Sequence, residues 1–166
     1  MARRLTLLRH AKSDWSDQSL RDFDRPLNKR GKRNAPAMGQ LLKDRGISPD
    51  LIISSDANRA YTTARLVAQE LGYPDENILL NHAMYLAAPG TLLEVLADSG
   101  KQHEHVMLVA HNPGMTELAN RLSDASIDNL PTCGVFFVDA DIENWHQVAG
   151  TQHRFAGFLC PRQDLD

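Results

Sequence analysis

Two short apolar runs constrain this chain more than any other feature. Leu5 to Leu8 ends abruptly in Arg9-His10, and Val106 to Ala110 ends in His111-Asn112-Pro113-Gly114. Runs of this length, bounded by polar residues, suit strands buried on both faces of a parallel sheet. Such strands deliver whatever follows them to the carboxyl edge, where open α/β sheets bind ligands. A third run, Leu51-Ile52-Ile53, ends in Ser54-Ser55-Asp56.

The stretches between these runs read as helices. Asn28 caps a helix bearing Ala35, Met38 and Leu42 on one face, and Gly46 stops it. Pro36 either kinks this helix or lies in the first turn of one that starts near Asn34. A second helix is expected from about Ala57 to Leu71, with Ala60, Ala64, Val67 and Leu71 buried. Ser55 or Asp56 would cap it, which puts Arg59 beside the unpaired N–H groups of the first turn. Ile78 to Leu80 reads as a short strand, and Thr91 starts a helix bearing Leu92, Leu93, Val95 and Leu96. Asn112 caps a further helix through Leu118 and Leu122, with Pro113 at its first position. In the tail, Gly134 to Val138 is strand-like, and Trp145 to Val148 and Arg154 to Leu159 alternate apolar with polar. These read as edge or antiparallel strands on a mainly parallel sheet. The alternation up to Leu122 predicts an α/β domain with right-handed crossovers.

Composition narrows the class. At 166 residues the expectation is one domain, 1–166, with a real core. A net charge of −3 argues against a general nucleic-acid binder. Cys133 and Cys160 lack metal-type spacing, and a disulfide framework is not expected, which fits a reducing cytoplasm. Arg3-Arg4 is followed by too few apolar residues for a signal peptide, and no stretch reaches membrane-spanning length.

Three strand ends therefore carry functional-looking groups: Arg9-His10, Ser54-Ser55 with Arg59, and His111. Each has a plainer reading alone. An Arg-His pair after a strand is commonly a solvated loop, and Arg59 paired with Asp56 is a surface contact of little weight. Neighbouring parallel strands would instead bring two arginines and two histidines to one crevice. Cations gathered this way destabilise a fold unless an anion neutralises them. The expected ligand is a phosphoryl group, which guanidinium forks bind bidentately. His10 could attack phosphorus as a neutral imidazole. Arg9 and Arg59 would hold the equatorial oxygens, and His111, if protonated beside that dianion, would add a donor. No metal or other cofactor is required. A Gly-rich phosphate loop, a cysteine five residues before an arginine and a paired-Asp signature are all absent.

Leu7-Leu8-Arg9-His10-Ala11, Ser55 to Arg59 followed by Ala60 and Thr63-Ala64, and Ala110-His111-Asn112-Pro113 together resemble the three motifs of the histidine phosphatase, or phosphoglycerate mutase-like, superfamily. The resemblance implies a three-layer sandwich with helices on both faces of a mostly parallel central sheet. It implies that His10 is the phosphorylated residue and that Arg9, Arg59 and His111 complete the phosphate pocket. Asp22 to Leu27 further resembles the short SixA-like branch, whose members remove phosphate from phosphohistidine on proteins. There Arg25 is an additional phosphate ligand. The chain departs from the wider family in Asn81-His82-Ala83-Met84-Tyr85, which lacks the glutamate acid found before a tyrosine in mutases. It also lacks the long insertion that covers the pocket in larger members. A pocket without a strong acid fits a P–N bond, whose imidazole leaving group needs little help, better than an alkyl phosphate. Alternatively Asp22, or else Asp24, supplies the acid.

The substrate expected is a phosphorylated protein or a small phosphate ester, with neither nucleic acid nor membrane as partner. Three rivals stand beside the phosphohistidine reading. They are a general small-molecule phosphomonoesterase, a non-catalytic phosphate-binding module, and a metal hydrolase built on His103-Glu104-His105. The last segment reads more simply as a polar turn before a strand. Trp15, Met84 and Tyr85 could rim the pocket, though core packing is the commoner use of each.

Overall fold

In a computed structural model, residues 2–165 are described. Six strands form one sheet: β1 (Ala2–Arg9), β2 (Leu51–Ser54), β3 (Leu79–Leu80), β4 (His105–Ala110), β5 (Val135–Asp141) and β6 (Arg154–Leu159). Their order is β3-β2-β4-β1-β5-β6. The first four strands run parallel, and β5 and β6 add an antiparallel edge. Helices α1 (Lys29–Asp44) and α2 (Asn58–Leu71) pack with one face of the sheet, and α3 (Pro89–Gly100) and α4 (Gly114–Leu122) with the other. A short helix, α5 (Pro161–Asp164), follows β6. This is the expected α/β three-layer sandwich.

Alternation within the buried strands divides the core. Leu5 and Leu7 of β1, with Val106, Leu108 and Ala110 of β4, join Leu92, Leu96, Met115 and Leu118 on one face. Leu8, Met107 and Val109 join Ala35, Met38, Ala60, Ala64 and Val67 on the other. Successive strand residues point to opposite faces, so a strand covered by helices on both sides is apolar almost throughout; Thr6, buried in β1, meets His105 Nε2 at 2.7 Å. The same register sets the site. Arg9 pairs with Ala110 in the β1–β4 ladder, so His10 and His111, which directly follow the two strands, fall side by side, with ring centroids 5.2 Å apart.

Several local expectations change. Helix α1 is continuous through Pro36 from its cap at Asn28, whose side chain accepts from Gly31 N at 2.8 Å. Helix α2 begins at Asn58, and neither Ser55 nor Asp56 is its N-cap residue, although Ser55 Oγ accepts from Ala57 N. Helix α3 begins at Pro89, earlier than Thr91. Pro113 precedes α4, which starts at Gly114, while Asn112 Oδ1 still accepts from Thr116 N at 3.1 Å. Trp145 to Val148 is not a strand: Trp145–Gln147 is a single 3-10 turn. There the Asn144 side chain accepts from the Gln147 amide while the Gln147 side chain accepts from the Asn144 amide. Trp145 packs beneath, its indole N–H donating to His103 O at 2.7 Å. A Cβ on Gly100 would lie 2.4 Å from that ring, so only glycine admits it. Among the described residues, no helix is long and apolar enough to cross a membrane.

Candidate active site

The carboxyl edge of β2, β4 and β1 opens into a cavity of about 290 Å³ whose lining includes Arg9, His10, Arg25, Arg59 and His111. The residues singled out at three strand ends, and Arg25 from the first long loop, thus meet around one space. Asp22 stands beside them, bonded to both Arg59 and Arg25.

His10 is fixed from several directions. Its backbone N–H donates to Ala110 O at 3.1 Å, and its carbonyl accepts from Cys133 N at 3.0 Å. The next amide, Ala11 N–H, donates to Thr63 Oγ1 at 2.9 Å, and that hydroxyl donates to Arg59 O at 2.7 Å. Thr63 therefore ties the first turn of α2 to the end of β1. The His10 ring places Nδ1 2.7 Å from Ala11 O. A carbonyl only accepts, so Nδ1 carries the proton and Nε2 keeps its lone pair. Burial, reinforced by the cations of Arg59, Arg9 and Arg25, lowers the His10 pKa to about 4, against the opposing pull of the Ala11 carbonyl. The ring is a neutral imidazole with one free nitrogen, the form a nucleophile requires.

His111 is neutral as well, its pKa lowered to about 3 by burial first and then by His10, Arg59 and Arg9. Its Nε2 lies 2.7 Å from Ser55 Oγ. That hydroxyl already accepts from Ala57 N at 3.2 Å and has no other acceptor for its own proton among the described contacts. Ser55 therefore donates to Nε2, and the His111 proton sits on Nδ1. This atom is buried and has no partner. His111 thus offers an N–H donor at Nδ1.

The guanidiniums differ in their ties. Arg9 Nη1 donates to Leu130 O at 3.1 Å, and its Nε is buried without a partner. Burial, and then Arg59, lowers the Arg9 pKa. Arg59 Nη1 donates to Asp22 O at 2.7 Å and Nη2 to Asp22 Oδ2 at 3.0 Å. Arg25 donates from Nε and Nη2 to Asp22 Oδ1, at 3.1 and 3.0 Å, and from Nη1 to Ser13 Oγ at 2.9 Å. Partial burial would raise the Asp22 pKa. Hydrogen bonds from Tyr85, Arg59 and Arg25, with the Arg59 charge, prevail and lower it to about 2. As the structure stands, the residue expected as an acid is an ionised carboxylate with no proton to give at neutral pH. Asp24 instead pairs with Arg21.

Arg59 does not pair with Asp56, whose carboxylate lies 3.0 Å from His82 Nδ1. Of three aromatic or sulphur side chains assigned to the core, only Met84 is there. Tyr85 donates to Asp22 and sets its ring edge-on to His111, with centroids 5.5 Å apart. Trp15 is 71% exposed and lies under Arg25, the Cζ 3.3 Å from its ring centroid. Ser55, read as a possible cap, Thr63, read only as part of a motif, and Tyr85, read as rim or core, act here as positioning residues. Tyr85 had a signal: it closes a short polar stretch with no apolar periodicity around it. The histidine-rich segment gives no metal cluster. His105 opens β4 and places Nε2 2.7 Å from Thr6 Oγ1, and no group of three potential metal ligands occurs among the described residues.

Comparison with known proteins agrees with this geometry. The profile of the histidine phosphatase superfamily (branch 1) matches residues 5–78, which carry Arg9, His10, Asp22, Arg25 and Arg59. An uncharacterized chloroplastic protein of Arabidopsis thaliana is 39% identical over 156 residues, covering 89% of this chain and 71% of its own length. A 2,3-bisphosphoglycerate-dependent phosphoglycerate mutase of a Methylobacterium is 35% identical over 115 residues, but the match covers 64% of this chain and 54% of the mutase. The crystal structure of SixA from Agrobacterium tumefaciens superposes with a TM-score of 0.80 at 33% identity, covering 96% of this chain and 98% of that one. The protein histidine phosphatase SixA complexed with tungstate gives the same TM-score at 18% identity, a likeness of fold. The chain belongs to the histidine phosphatase superfamily, and over nearly its whole length it is built like SixA.

Proposed function

We propose that this chain is a phosphatase that works through a phosphohistidine at His10, as one domain without a long cap, and that its substrate is phosphohistidine on a protein. The supporting observation is the Nδ1–Ala11 contact. It leaves His10 Nε2 as a free lone pair in a cavity shared with three guanidiniums.

In the first half-reaction Nε2 attacks phosphorus, and the P–N bond to the substrate imidazole breaks. The departing ring keeps the electron pair, and protonation at that nitrogen yields neutral histidine. In the second, water attacks the phosphoryl group on Nε2, the new P–N bond breaks, and inorganic phosphate leaves with His10 neutral again. Arg9, Arg25, Arg59 and the His111 Nδ1–H donor would hold the equatorial oxygens while charge spreads over them. Asp22 holds Arg59 and Arg25 in position as a carboxylate, its pKa lowered to about 2 by Tyr85, Arg59 and Arg25. An imidazole leaving group needs no strong acid, whereas an alkoxide does.

A protein substrate is favoured by the mouth of the cavity. Trp15 and Leu86 line it and stand 71% and 54% exposed. The Agrobacterium structure, at 33% identity, is described as that of a putative phosphohistidine phosphatase. The test is a parallel assay, with a chelator present throughout, of a histidine-phosphorylated protein against sugar and nucleotide phosphates. A kcat/KM higher by about a hundredfold or more on the phosphohistidine protein is expected. Preference for the esters, or dependence on an added metal ion, would contradict the proposal.

A further inference from the structure

Helix α1 opens with Lys29-Arg30-Gly31-Lys32-Arg33, four cations in five residues, and no acid lies in its first turn. The helix dipole makes this end the wrong place for positive charge, since its exposed N–H groups favour anions. Stability therefore gives no reason for the cluster. Arg30 and Arg33 are exposed and form no ion pair among the described residues. Elsewhere Arg4 and Arg154 share Asp139, and Arg21 holds Asp24.

These two arginines line a second cavity, of about 460 Å³, together with Asn34, Thr132 and Arg162 from α5. Arg162 also lacks an acidic partner there, and the one acid of α5, Asp164, accepts from Cys160 N at 2.8 Å. The groove adjoins the phosphate pocket, since Thr132 lines both. Asn28 N–H donates to Lys12 O at 3.0 Å, so the start of α1 is fastened to the segment that follows His10.

We infer that this basic groove docks an acidic flank of the phosphoprotein whose phosphorylated residue enters the neighbouring pocket. The inference rests on the reading of the substrate as a protein. A chain with net charge −3 that gathers unpaired arginines beside its reactive pocket is arranged to select an acidic surface locally. The exposed Trp15 and Leu86 at the pocket mouth supply apolar contacts that a protein uses and a nucleic acid backbone does not.

The test uses the full chain and synthetic peptides carrying a non-hydrolysable phosphohistidine mimic, flanked by glutamate, glutamine or lysine. Binding is read by fluorescence anisotropy at low and high salt. Glutamate flanks are expected to bind about tenfold more tightly than glutamine flanks at low salt, with the advantage lost at high salt. Arg30→Glu/Arg33→Glu should abolish the advantage while affinity for inorganic phosphate and for the glutamine peptide stays within about twofold. Arg30→Gln/Arg33→Gln gives the same readout if the charge reversal fails to fold. Equal binding of the three peptides would overturn the inference. So would an advantage that survives in the variants, or displacement of the glutamate peptide by a short oligonucleotide more readily than by a glutamate-rich peptide. The same flanks built around phosphoserine separate the two readings. Turnover of phosphoserine but not phosphohistidine peptides would refute the proposed substrate, while the flank dependence would still report on the groove.

Discussion

Arg59 grips Asp22 twice, from Nη1 to the backbone carbonyl at 2.7 Å and from Nη2 to Oδ2 at 3.0 Å. The guanidinium that should hold a phosphoryl oxygen is thus engaged by an internal carboxylate. An anion entering the pocket must share Arg59 with Asp22 and feels its negative charge. Asp22→Asn keeps an acceptor for both arginines and removes the charge. The expected result is tighter inhibition by inorganic phosphate, by about fivefold, measured as product inhibition. Weaker phosphate binding would mean that the charge of Asp22 is needed to hold the arginines in place.

The protonation state of His10 gives a pH prediction. Near pH 5.5, an imidazole with the usual pKa of about 6.5 is only about one-tenth neutral, whereas one near 4 is almost wholly neutral. Phosphoryl transfer to His10 from a labelled phosphoramidate should therefore proceed near pH 5.5 at a rate within about twofold of that near pH 7.5. A roughly tenfold loss would show that His10 titrates normally.

Stability should depend on pH through the same groups. His10 and His111 have pKa values lowered to about 4 and about 3, and His105 is lowered to about 4 by burial and then by Arg4. Between the unfolded value of about 6.5 and these folded values, the unfolded chain binds more protons. Stability is therefore full above about pH 6.5 and is lost as pH falls toward 4. Thermal unfolding followed from neutral pH downward checks the direction, and a Tm that holds steady over this range would contradict it.

Arg59 is buried, and its Nε has no partner, so the side chain is held ready by Asp22 and Tyr85 and not by bulk water. Arg59→Ala should lower kcat/KM by roughly a hundred- to a thousandfold, about 3–4 kcal/mol of transition-state stabilisation. Arg59→Lys should recover only part, because an ammonium cannot present a planar fork. Steady-state kinetics with circular dichroism as a folding control measures this.

Gly31 connects helix packing to the site. A Cβ there would lie 2.2 Å from Lys12 O, a backbone atom two residues beyond His10. Gly31→Ala must push this segment or the helix away, at a cost of about 1–3 kcal/mol. Activity should fall along with Tm. An alanine variant with normal Tm and turnover would show that the loop after His10 tolerates displacement.

What could be read from sequence follows from which interactions are local. Leu5 to Leu8, Leu51 to Ile53 and Val106 to Ala110 announce themselves because a strand covered on both faces is apolar almost throughout. The polar residues that end these runs mark the sheet edge, and this alone groups Arg9, His10, Arg59 and His111. The positioning roles of Tyr85, Ser55 and Thr63 are not legible locally because their contacts join residues 63, 56 and 52 positions apart, to Asp22, His111 and Ala11. Trp145 misled for the opposite reason. Its apolar-polar alternation copies a strand, but a reciprocal Asn144–Gln147 cap and the open face of Gly100 make it a turn. Asp22 could be placed in the site from its motif, yet its ionised state depends on three partners that only the fold supplies.

The central claim is that His10 carries the phosphoryl group. The direct measurement is a millisecond mixing experiment with a phosphorus-labelled phosphohistidine protein, quenched in alkaline denaturant so that P–N bonds survive, with the label mapped by mass spectrometry. Label on His10 that forms before phosphate release, and its complete loss in a folded His10→Ala variant, is the predicted result. Phosphate released with no labelled enzyme at any time, or turnover that persists in His10→Ala, would contradict it.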